Sequence, residues 1–243
     1  MKTPGYVHVV GIGPGDLAGI SVGALRAIEN AQEIWCSDLG PPNRERLFLR
    51  PYLKGKKIVN LAHYYDQIEL PRTHIYRTIA SRLTHLAQQG RKITFLFSGN
   101  PMVWVNITDM LKADAALGLL DLRITPSMSF LDLIWTSLPF GLRGALQVRA
   151  TFITAPDVST QIDCVVGQVG DTGATGGLND FNQFVDAVNR LYPANHAIYV
   201  TGSDPIYSEI STVQTTPSAL AATLQNFTAG FYVVVLPRVE SLQ

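Results

Sequence analysis

Several features that mark secreted, membrane-spanning and nucleic-acid-binding proteins are scarce in this sequence. There are two cysteines among 243 residues, Cys36 and Cys164, which is too few for a disulfide framework. No apolar run approaches the roughly 18 residues that a transmembrane helix needs. Basic and acidic residues number 19 each, so the net charge is zero and the broad basic surface of a nucleic-acid-binding protein is missing. We expect two reduced core thiols, and neither a membrane nor a nucleic acid as partner.

The amino terminus and the histidines exclude two further classes. Residues 1–5 lead directly into a predicted strand, without the charged and apolar segments of a signal peptide, and we therefore expect a cytoplasmic protein. The five histidines are scattered, and none stands at zinc-finger spacing from a cysteine, so we expect no metal site. With 47% hydrophobic residues, the chain can build a packed core in two domains of about 120 residues each.

Predicted strands and helices alternate in the first half of the chain. Ser21 is a plausible N-cap, Pro71 can open a helix and Gly90 can end it. The alternation favours a parallel α/β sheet with right-handed crossovers. The predicted strands are residues 6–12, 33–36, 57–61, 93–97 and 123–125, and the predicted helices are residues 21–30, 71–89 and 104–116.

The pattern changes after Pro126. Residues 130–137 predict a helix, and residues 170–177 form a Gly/Thr-rich loop. We therefore predict an α/β protein of two α/β domains, residues 1–125 and residues 126–243. The other elements predicted in the second domain are strands 147–154, 162–168, 196–201 and 230–236 and helices 180–192 and 217–227.

A glycine-rich loop, Gly11-Ile12-Gly13-Pro14-Gly15-Asp16, joins the first strand to the first helix. Glycines there let the backbone turn tightly and approach a ligand. A dinucleotide site has the pattern Gly-x-Gly-x-x-Gly with an acidic residue about 20 positions on, where Asp38 lies. Asp16 occupies the place of the third glycine, and its charge disfavours a pyrophosphate. Taken alone, the loop is also compatible with a plain strand-to-helix turn.

Together with two later motifs, this loop resembles the tetrapyrrole methylase family. Residues 10–16 match the family's opening signature, and residues 97–101 stand where the family has a Gly-Asp-Pro turn. Residues 125–130 stand where it has Pro-Gly-Val-Ser. Asn100 replaces the usual aspartate, and Ser127-Met128 replaces Gly-Val.

The resemblance implies two domains with S-adenosylmethionine bound in the cleft between them and S-adenosylhomocysteine as product. The turn at residues 98–103 and the Ser129 hydroxyl would lie near the methionine part. Thr154-Ala155 and Thr216-Pro217 would line the adenine. The implied cofactor-binding residues are Gly13, Pro14, Gly15, Ser98, Gly99, Asn100, Pro101, Val103, Ser129, Thr154, Ala155, Thr216 and Pro217.

A stretch rich in tyrosine and arginine, residues 60–76, follows the third predicted strand. On a helix that begins near Pro71, Arg72 and Tyr76 are four residues apart and share a face. A guanidinium beside a phenol favours the phenolate, which can act as a base. In isolation the stretch is also compatible with exposed tyrosines and a solvated arginine.

The same stretch is similar to that of the borosin-type peptide backbone α-N-methyltransferases, which carry Tyr-Tyr…Pro-Arg…Thr-x-Tyr at this place. Residues 150–152, 156–157 and 192–196 add to the likeness. The resemblance implies that Tyr65 or Tyr64, together with Arg72 and Tyr76, surrounds the amide nitrogen that is methylated. An amide N–H is a very weak acid, so it needs a base and donors toward the carbonyl oxygen.

One departure concerns the turn after the fourth strand. Borosin enzymes usually have Tyr-Gly-His-Pro there, whereas this chain has Ser98-Gly99-Asn100-Pro101, so one phenol of the site is missing. The activity is then reduced, directed to another acceptor, or absent. One alternative is therefore a protein that binds S-adenosylmethionine but has no catalytic activity.

The expected partners follow from the same resemblance. We expect a homodimer and, because the sequence ends at Gln243 directly after the last predicted strand, a precursor peptide or protein supplied as a separate polypeptide. The main alternative is a C-methyltransferase of a tetrapyrrole such as a precorrin. A carboxylate-rich macrocycle would favour a basic cleft, for which the candidates are Arg44, Arg46, Arg50, Lys54, Lys56 and Lys57.

Overall fold

A computed structural model describes residues 5–14, 19–36, 49–65, 70–142, 144–149, 159–167, 169, 178–203, 210–227 and 231–239. The chain divides into two compact units, Met1–Phe130 and Leu131–Gln243. Within the described ranges, each unit contains a five-stranded sheet with helices. The predicted architecture of two α/β domains is therefore confirmed.

The first unit alternates strands and helices, as predicted. Its sheet has the order β3-β2-β4-β1-β5, and every neighbouring pair is parallel. Its strands are β1 (Tyr6–Gly11), β2 (Glu33–Cys36), β3 (Lys57–Asn60), β4 (Lys92–Phe97) and β5 (Asp121–Thr125). Its helices are α1 (Val22–Glu29), α2 (Arg50–Leu53), α3 (Ala62–Tyr65), α4 (Arg72–Gln88) and α5 (Asn106–Ala116).

Local signals set several helix ends in this unit. The Ser21 hydroxyl accepts a hydrogen bond from the amide of Ala24 at 3.1 Å, which caps α1 as predicted. Pro71 precedes α4, and Gly90, with φ +88°, follows its end. The helix predicted from residue 104 begins two residues later, at Asn106, because Trp104 has a φ of +56° and cannot be part of an α-helix.

Helices cover both faces of this sheet. Val7 and Val9 pack against α4 and α5 in one buried cluster, while Val10 and Ile12 pack against α1 in another. The connection from β1 to β2 carries α1, and the connection from β4 to β5 carries α5 on the opposite face. The crossovers of the neighbouring strands β1 and β4 thus leave in opposite directions, which opens a crevice at their carboxyl ends.

The second unit contains a mixed sheet of order β6-β7-β10-β8-β9, in which β6 and β7 are parallel and the other pairs antiparallel. The helix α6 (Phe130–Ser137) begins at the last residue of the first unit. The remaining elements are β6 (Leu146–Arg149), β7 (Cys164–Gly167), α7 (Leu178–Leu191), β8 (Ile198–Ser203), β9 (Ile210–Thr215), a 3-10 helix (Pro217–Ala219), α8 (Leu220–Asn226) and β10 (Phe231–Leu236).

Two differences from the sequence prediction lie in this unit. The edge strand β9 was not predicted, because four of its six residues are polar and the run resembles a loop. The helix predicted over residues 217–227 begins as a 3-10 turn and continues as α8. The predicted strand residues 150–154 and the loop 170–177 lie outside the described residues.

Both cysteines are buried as thiols, Cys36 in β2 and Cys164 in β7, and burial raises the pKa of Cys164 to about 12. In the described part of the chain, no helix is long and apolar enough to cross a membrane. The described histidines, cysteines and carboxylates form no group of three that could hold a metal ion.

Glu33, at the start of β2, contacts three neighbouring polar side chains. Its side chain forms a close ion pair with Arg91, lies 3.4 Å from the Lys57 ammonium and accepts a 2.8 Å hydrogen bond from the Trp35 indole. Burial by itself raises the pKa of Glu33, but the hydrogen bonds and charges of these neighbours outweigh it and lower the pKa from 4.5 to about 2.

We expect Glu33→Gln to lower the free energy of unfolding at neutral pH by about 1–2 kcal/mol. Because the pKa of Glu33 is lower in the folded than in the unfolded chain, its stabilisation is complete above pH 4.5 and is lost as the pH falls toward 2. Urea unfolding of both proteins across this range should show the difference shrinking below pH 4.5. Asp121→Asn, in a half-exposed pair with Arg123, is the control with little effect. A difference independent of pH would contradict the assignment.

Candidate functional site

Three loops meet at the carboxyl edge of the first sheet. They follow β1 (residues 11–14), β4 (residues 98–103) and β5 (residues 126–129), and these three strands are neighbours in the order β4-β1-β5. Carboxyl ends of parallel strands share one edge, so the three sequence motifs lie side by side. We call the three loops the glycine cradle.

Backbone hydrogen bonds join the first two loops of the cradle. The Gly13 amide donates to the Gly99 carbonyl at 3.3 Å, and the Gly99 amide donates to the Gly13 carbonyl at 3.0 Å. Both glycines have left-handed φ values, +70° and +76°. A Cβ on Gly11 would lie 2.5 Å from the Gly99 carbonyl oxygen and 2.6 Å from the Pro101 ring. Only glycine at position 11 permits this approach.

The third loop is attached through Ser127, which is buried. Its hydroxyl donates to the Gly11 carbonyl at 2.7 Å and accepts from the Ser21 amide at 3.0 Å. The Met128 amide donates to the Gly19 carbonyl at 3.1 Å. Ser127-Met128 stands where the resembling family has Gly-Val, and the extra hydroxyl binds this loop to the end of β1 and the start of α1.

Asn100 builds the turn after β4. Its side-chain oxygen accepts a 2.9 Å hydrogen bond from the Met102 amide, and its carbonyl accepts one from the Val103 amide at 3.1 Å. A carboxylate at this position could accept the same bond, so replacing the usual aspartate preserves the turn and removes one negative charge. Pro101 in the same turn and Ser129 after β5 are both buried.

An aromatic and cationic cluster lies at the same edge of the sheet. Here α3 directly follows the carboxyl end of β3, and the Leu61 amide donates to the Cys36 carbonyl at the end of β2. The Tyr65 ring contacts Arg72, whose guanidinium carbon is 5.5 Å from the ring centroid, and it contacts Tyr76 with the ring centroids 6.4 Å apart. We call Tyr65, Arg72 and Tyr76 the phenol cluster.

Tyr64 has a different neighbour. Its ring centroid is 4.3 Å from that of His63, and the His63 ring nitrogen Nδ1 lies 3.1 Å from the Asn60 carbonyl oxygen. Tyr64 and both phenols of the cluster pack against the buried cluster beneath α4. The sequence left Tyr64 and Tyr65 equivalent, and the structure brings Tyr65 against Arg72 and Tyr76.

The predicted residues of the second unit are described only in part. Thr216 precedes the 3-10 helix, with its hydroxyl 3.0 Å from that of Ser218, and Pro217 is buried. Gly15, Thr154 and Ala155 lie outside the described residues. Their contacts with a cofactor stay predictions.

Sequence reasoning missed three contributors to the cradle: Gly11, Ser21 and Ser127. Gly11 and Ser127 stand within the quoted motifs, and Ser21 was identified only as a helix cap. The missing information was the pairing of distant segments, since Ser21 and Ser127 are 106 residues apart. No local pattern reports such a bond.

We expect Gly13→Ala to lower the free energy of unfolding by about 1–3 kcal/mol more than Gly55→Ala. Both glycines have left-handed φ values, +70° and +76°. A Cβ at Gly13 would lie 2.1 Å from the Gly19 carbonyl oxygen, whereas one at Gly55 would meet nothing within 4 Å. The difference in the free energy of unfolding between the two variants, measured by urea unfolding, gives the steric cost. Equal losses of stability would show that the cradle loops can move to accommodate the added methyl group without cost.

Comparisons with known proteins agree with this geometry. A match to the family model described as Tetrapyrrole (Corrin/Porphyrin) Methylases extends over residues 6–200. A curated relative from Gymnopus fusipes, described as a methyltransferase/ribosomally synthesized cyclic peptide gymnopeptides precursor, is 28% identical over 137 residues. That match covers 56% of this chain and spans 31% of the relative's length.

Solved structures share the fold over nearly the whole chain. The uroporphyrin-III-C-methyltransferase from Thermus thermophilus is similar with a TM-score of 0.67 and 16% identity, covering 95% of this chain and 94% of that one. The cobalt precorrin-4 methyltransferase gives 0.67 and 13%, covering 96% and 94%. A Thermus thermophilus uroporphyrin-III C-methyltransferase complexed with S-adenosylhomocysteine gives 0.62 and 18%, covering 95% and 97%. The family match and the two-sheet fold agree, and the chain belongs to the tetrapyrrole (corrin/porphyrin) methylase family.

Proposed function

We propose that this protein is a cytoplasmic S-adenosylmethionine-dependent methyltransferase that N-methylates backbone amides of a separate precursor peptide. The observation that carries the proposal is the phenol cluster, which lies at the same carboxyl edge of the sheet as the glycine cradle. Membership of the methylase family supports methyl transfer. The Gymnopus fusipes relative, whose name includes a cyclic peptide precursor, supports a peptide as the acceptor.

The turn after β4 offers open backbone to the proposed cofactor. A Cβ at Gly99 would meet nothing within 4 Å, so a ligand has room to approach the main chain there. We assign Gly13, Pro14, Val103 and Ser129, with the turn at residues 98–101, to cofactor binding. When bound, S-adenosylmethionine supplies an electrophilic methyl group on a sulfonium, and it leaves as S-adenosylhomocysteine.

The phenol cluster supplies what an amide acceptor needs. In the proposal, Tyr65 acts as the base that takes the proton from the amide nitrogen, and the Arg72 guanidinium packs on its ring with the guanidinium carbon 5.5 Å from the ring centroid. The Tyr76 hydroxyl donates to the acceptor's carbonyl oxygen, where negative charge develops as the nitrogen loses its proton. Both phenols are half-buried, which limits the water that would compete for these hydrogen bonds.

The alternative acceptor is a tetrapyrrole, as the names of the structural neighbours suggest for those proteins. A macrocycle rich in carboxylates favours a site with available cations. Lys56 donates from its ammonium to the carbonyls of Glu29 and Ala31, and Lys57 is paired with Glu33. These two lysines therefore make contacts within the first unit, while Arg44 and Arg46 lie outside the described residues. The preference for a peptide acceptor rests on the phenol cluster and on the Gymnopus fusipes relative.

We expect Tyr76→Phe to reduce methyl transfer at least about 100-fold while leaving the Kd for S-adenosylhomocysteine unchanged. The hydroxyl lost in this variant acts on the acceptor and not on the cofactor. The readout is the intact mass of a co-expressed precursor peptide, which rises by one methylene unit for each transfer. Tyr64→Phe is the matched control, since the Tyr64 ring lies against His63, and it should keep most of the activity.

Three experimental results would distinguish the proposed function from its alternatives. Near wild-type transfer by Tyr76→Phe would remove Tyr76 from the mechanism. Methylation of a tetrapyrrole but not of any peptide would replace the proposed acceptor. Binding of S-adenosylhomocysteine without turnover on either acceptor would indicate a binding protein, consistent with Ser98 where borosin enzymes have a phenol. The homodimer that we also propose is tested by the mass in solution.

A further inference from the structure

One bulky residue beside the cradle has a backbone conformation that is unfavourable for any residue with a Cβ. Trp104 has a φ of +56°, and among the described non-glycine residues it alone has a positive φ. The left-handed region crowds a Cβ against the backbone, so glycine or asparagine usually occupies it. A tryptophan persists there only when the surrounding structure holds it in place.

The Trp104 ring packs on the ring of Phe130. Their ring centroids are 5.3 Å apart and the ring planes are tilted by 43°. Trp104 directly follows Val103 at the end of the second cradle loop, and Phe130 directly follows Ser129 at the end of the third. The ring contact thus joins these two loops at their far ends, whereas the bonds of Gly99 and Ser127 join them to the β1 loop at their near ends.

The left-handed conformation also keeps the second loop from becoming helical. The sequence pattern predicts a helix from residue 104, yet α5 begins at Asn106 after an extended Val105. Trp104, with its positive φ, and the extended Val105 thus separate α5 from the turn that Asn100 builds at residues 98–103.

We propose that Trp104 is a positioning residue for cofactor binding: its indole, packed on Phe130, fixes the spacing between the turn after β4 and the loop that carries Ser129. This inference rests on the proposed function, since it assigns the cradle to S-adenosylmethionine. It adds a residue whose ring acts on the cradle geometry and not on the methyl acceptor.

The test compares cofactor affinity with folding stability. Titration calorimetry gives the Kd for S-adenosylhomocysteine, and urea unfolding gives the stability of the same variants. Trp104→Gly permits the left-handed backbone but removes the ring, so we expect the Kd to rise about tenfold or more. Trp104→Phe keeps a ring against Phe130 and should bind within about threefold of wild type.

Two controls distinguish positioning from general destabilisation. Leu111→Ala opens the fully buried core of α5, so it should lower stability strongly and leave the Kd within about twofold of wild type. Phe130→Leu removes the partner ring, and in that background Trp104→Gly should weaken binding by a much smaller factor than in wild type. This second variant also tests the contact if Trp104→Gly fails to fold.

The outcomes separate the two proposals. If wild type binds S-adenosylhomocysteine and Trp104→Gly and Phe130→Leu bind within about twofold of it, the positioning role is overturned and the proposed function stands. The same role fails if Leu111→Ala weakens binding as much as Trp104→Gly does. If wild type does not bind S-adenosylhomocysteine, the proposed function is overturned and the positioning role with it.

Discussion

The site depends on one backbone contact, the pair of hydrogen bonds between Gly13 and Gly99 at the ends of β1 and β4. The β1 loop can approach the β4 loop this closely because residue 11 is glycine, since a Cβ there would lie 2.5 Å from the Gly99 carbonyl oxygen. The Ser127 hydroxyl then attaches the third loop to the Gly11 carbonyl. These bonds join the motifs that the strand order β4-β1-β5 places side by side.

The sheet topology explains why this surface is available. Helices bury both faces of the first sheet, and the crossovers from β1 and β4 leave on opposite faces, so the carboxyl edge between them stays uncovered by either helix. The phenol cluster lies at the same edge because α3 begins directly after β3. The glycine cradle and the phenol cluster thus lie at the same edge of one sheet.

The sequence predicted those elements whose signals are local. Three such signals depend only on residues within one helical turn, and the structure has all of them: the Ser21 cap, the proline before α4 and Gly90 after it. The four-residue helices α2 and α3 are too short for a helical period to appear. The choice between Tyr64 and Tyr65 depends on the direction in which α3 points each ring, and so required the structure. Trp104 was predicted to be helical because the pattern cannot report its contact with Phe130.

The departures from the family pattern affect the two parts of the site differently. In the cradle, Asn100 stands where the family pattern has an aspartate and Ser127 where it has a glycine, and both side chains hydrogen-bond to the backbone of the loops. The chemistry on an amide depends instead on specific hydroxyls, and the serine at position 98 cannot supply the phenol that borosin enzymes have there. We therefore expect these substitutions to leave the proposed cofactor binding intact and the departure at position 98 to affect the acceptor. In the proposed function, Tyr65 and Tyr76, held with Arg72 in one cluster, are the groups that act on that acceptor.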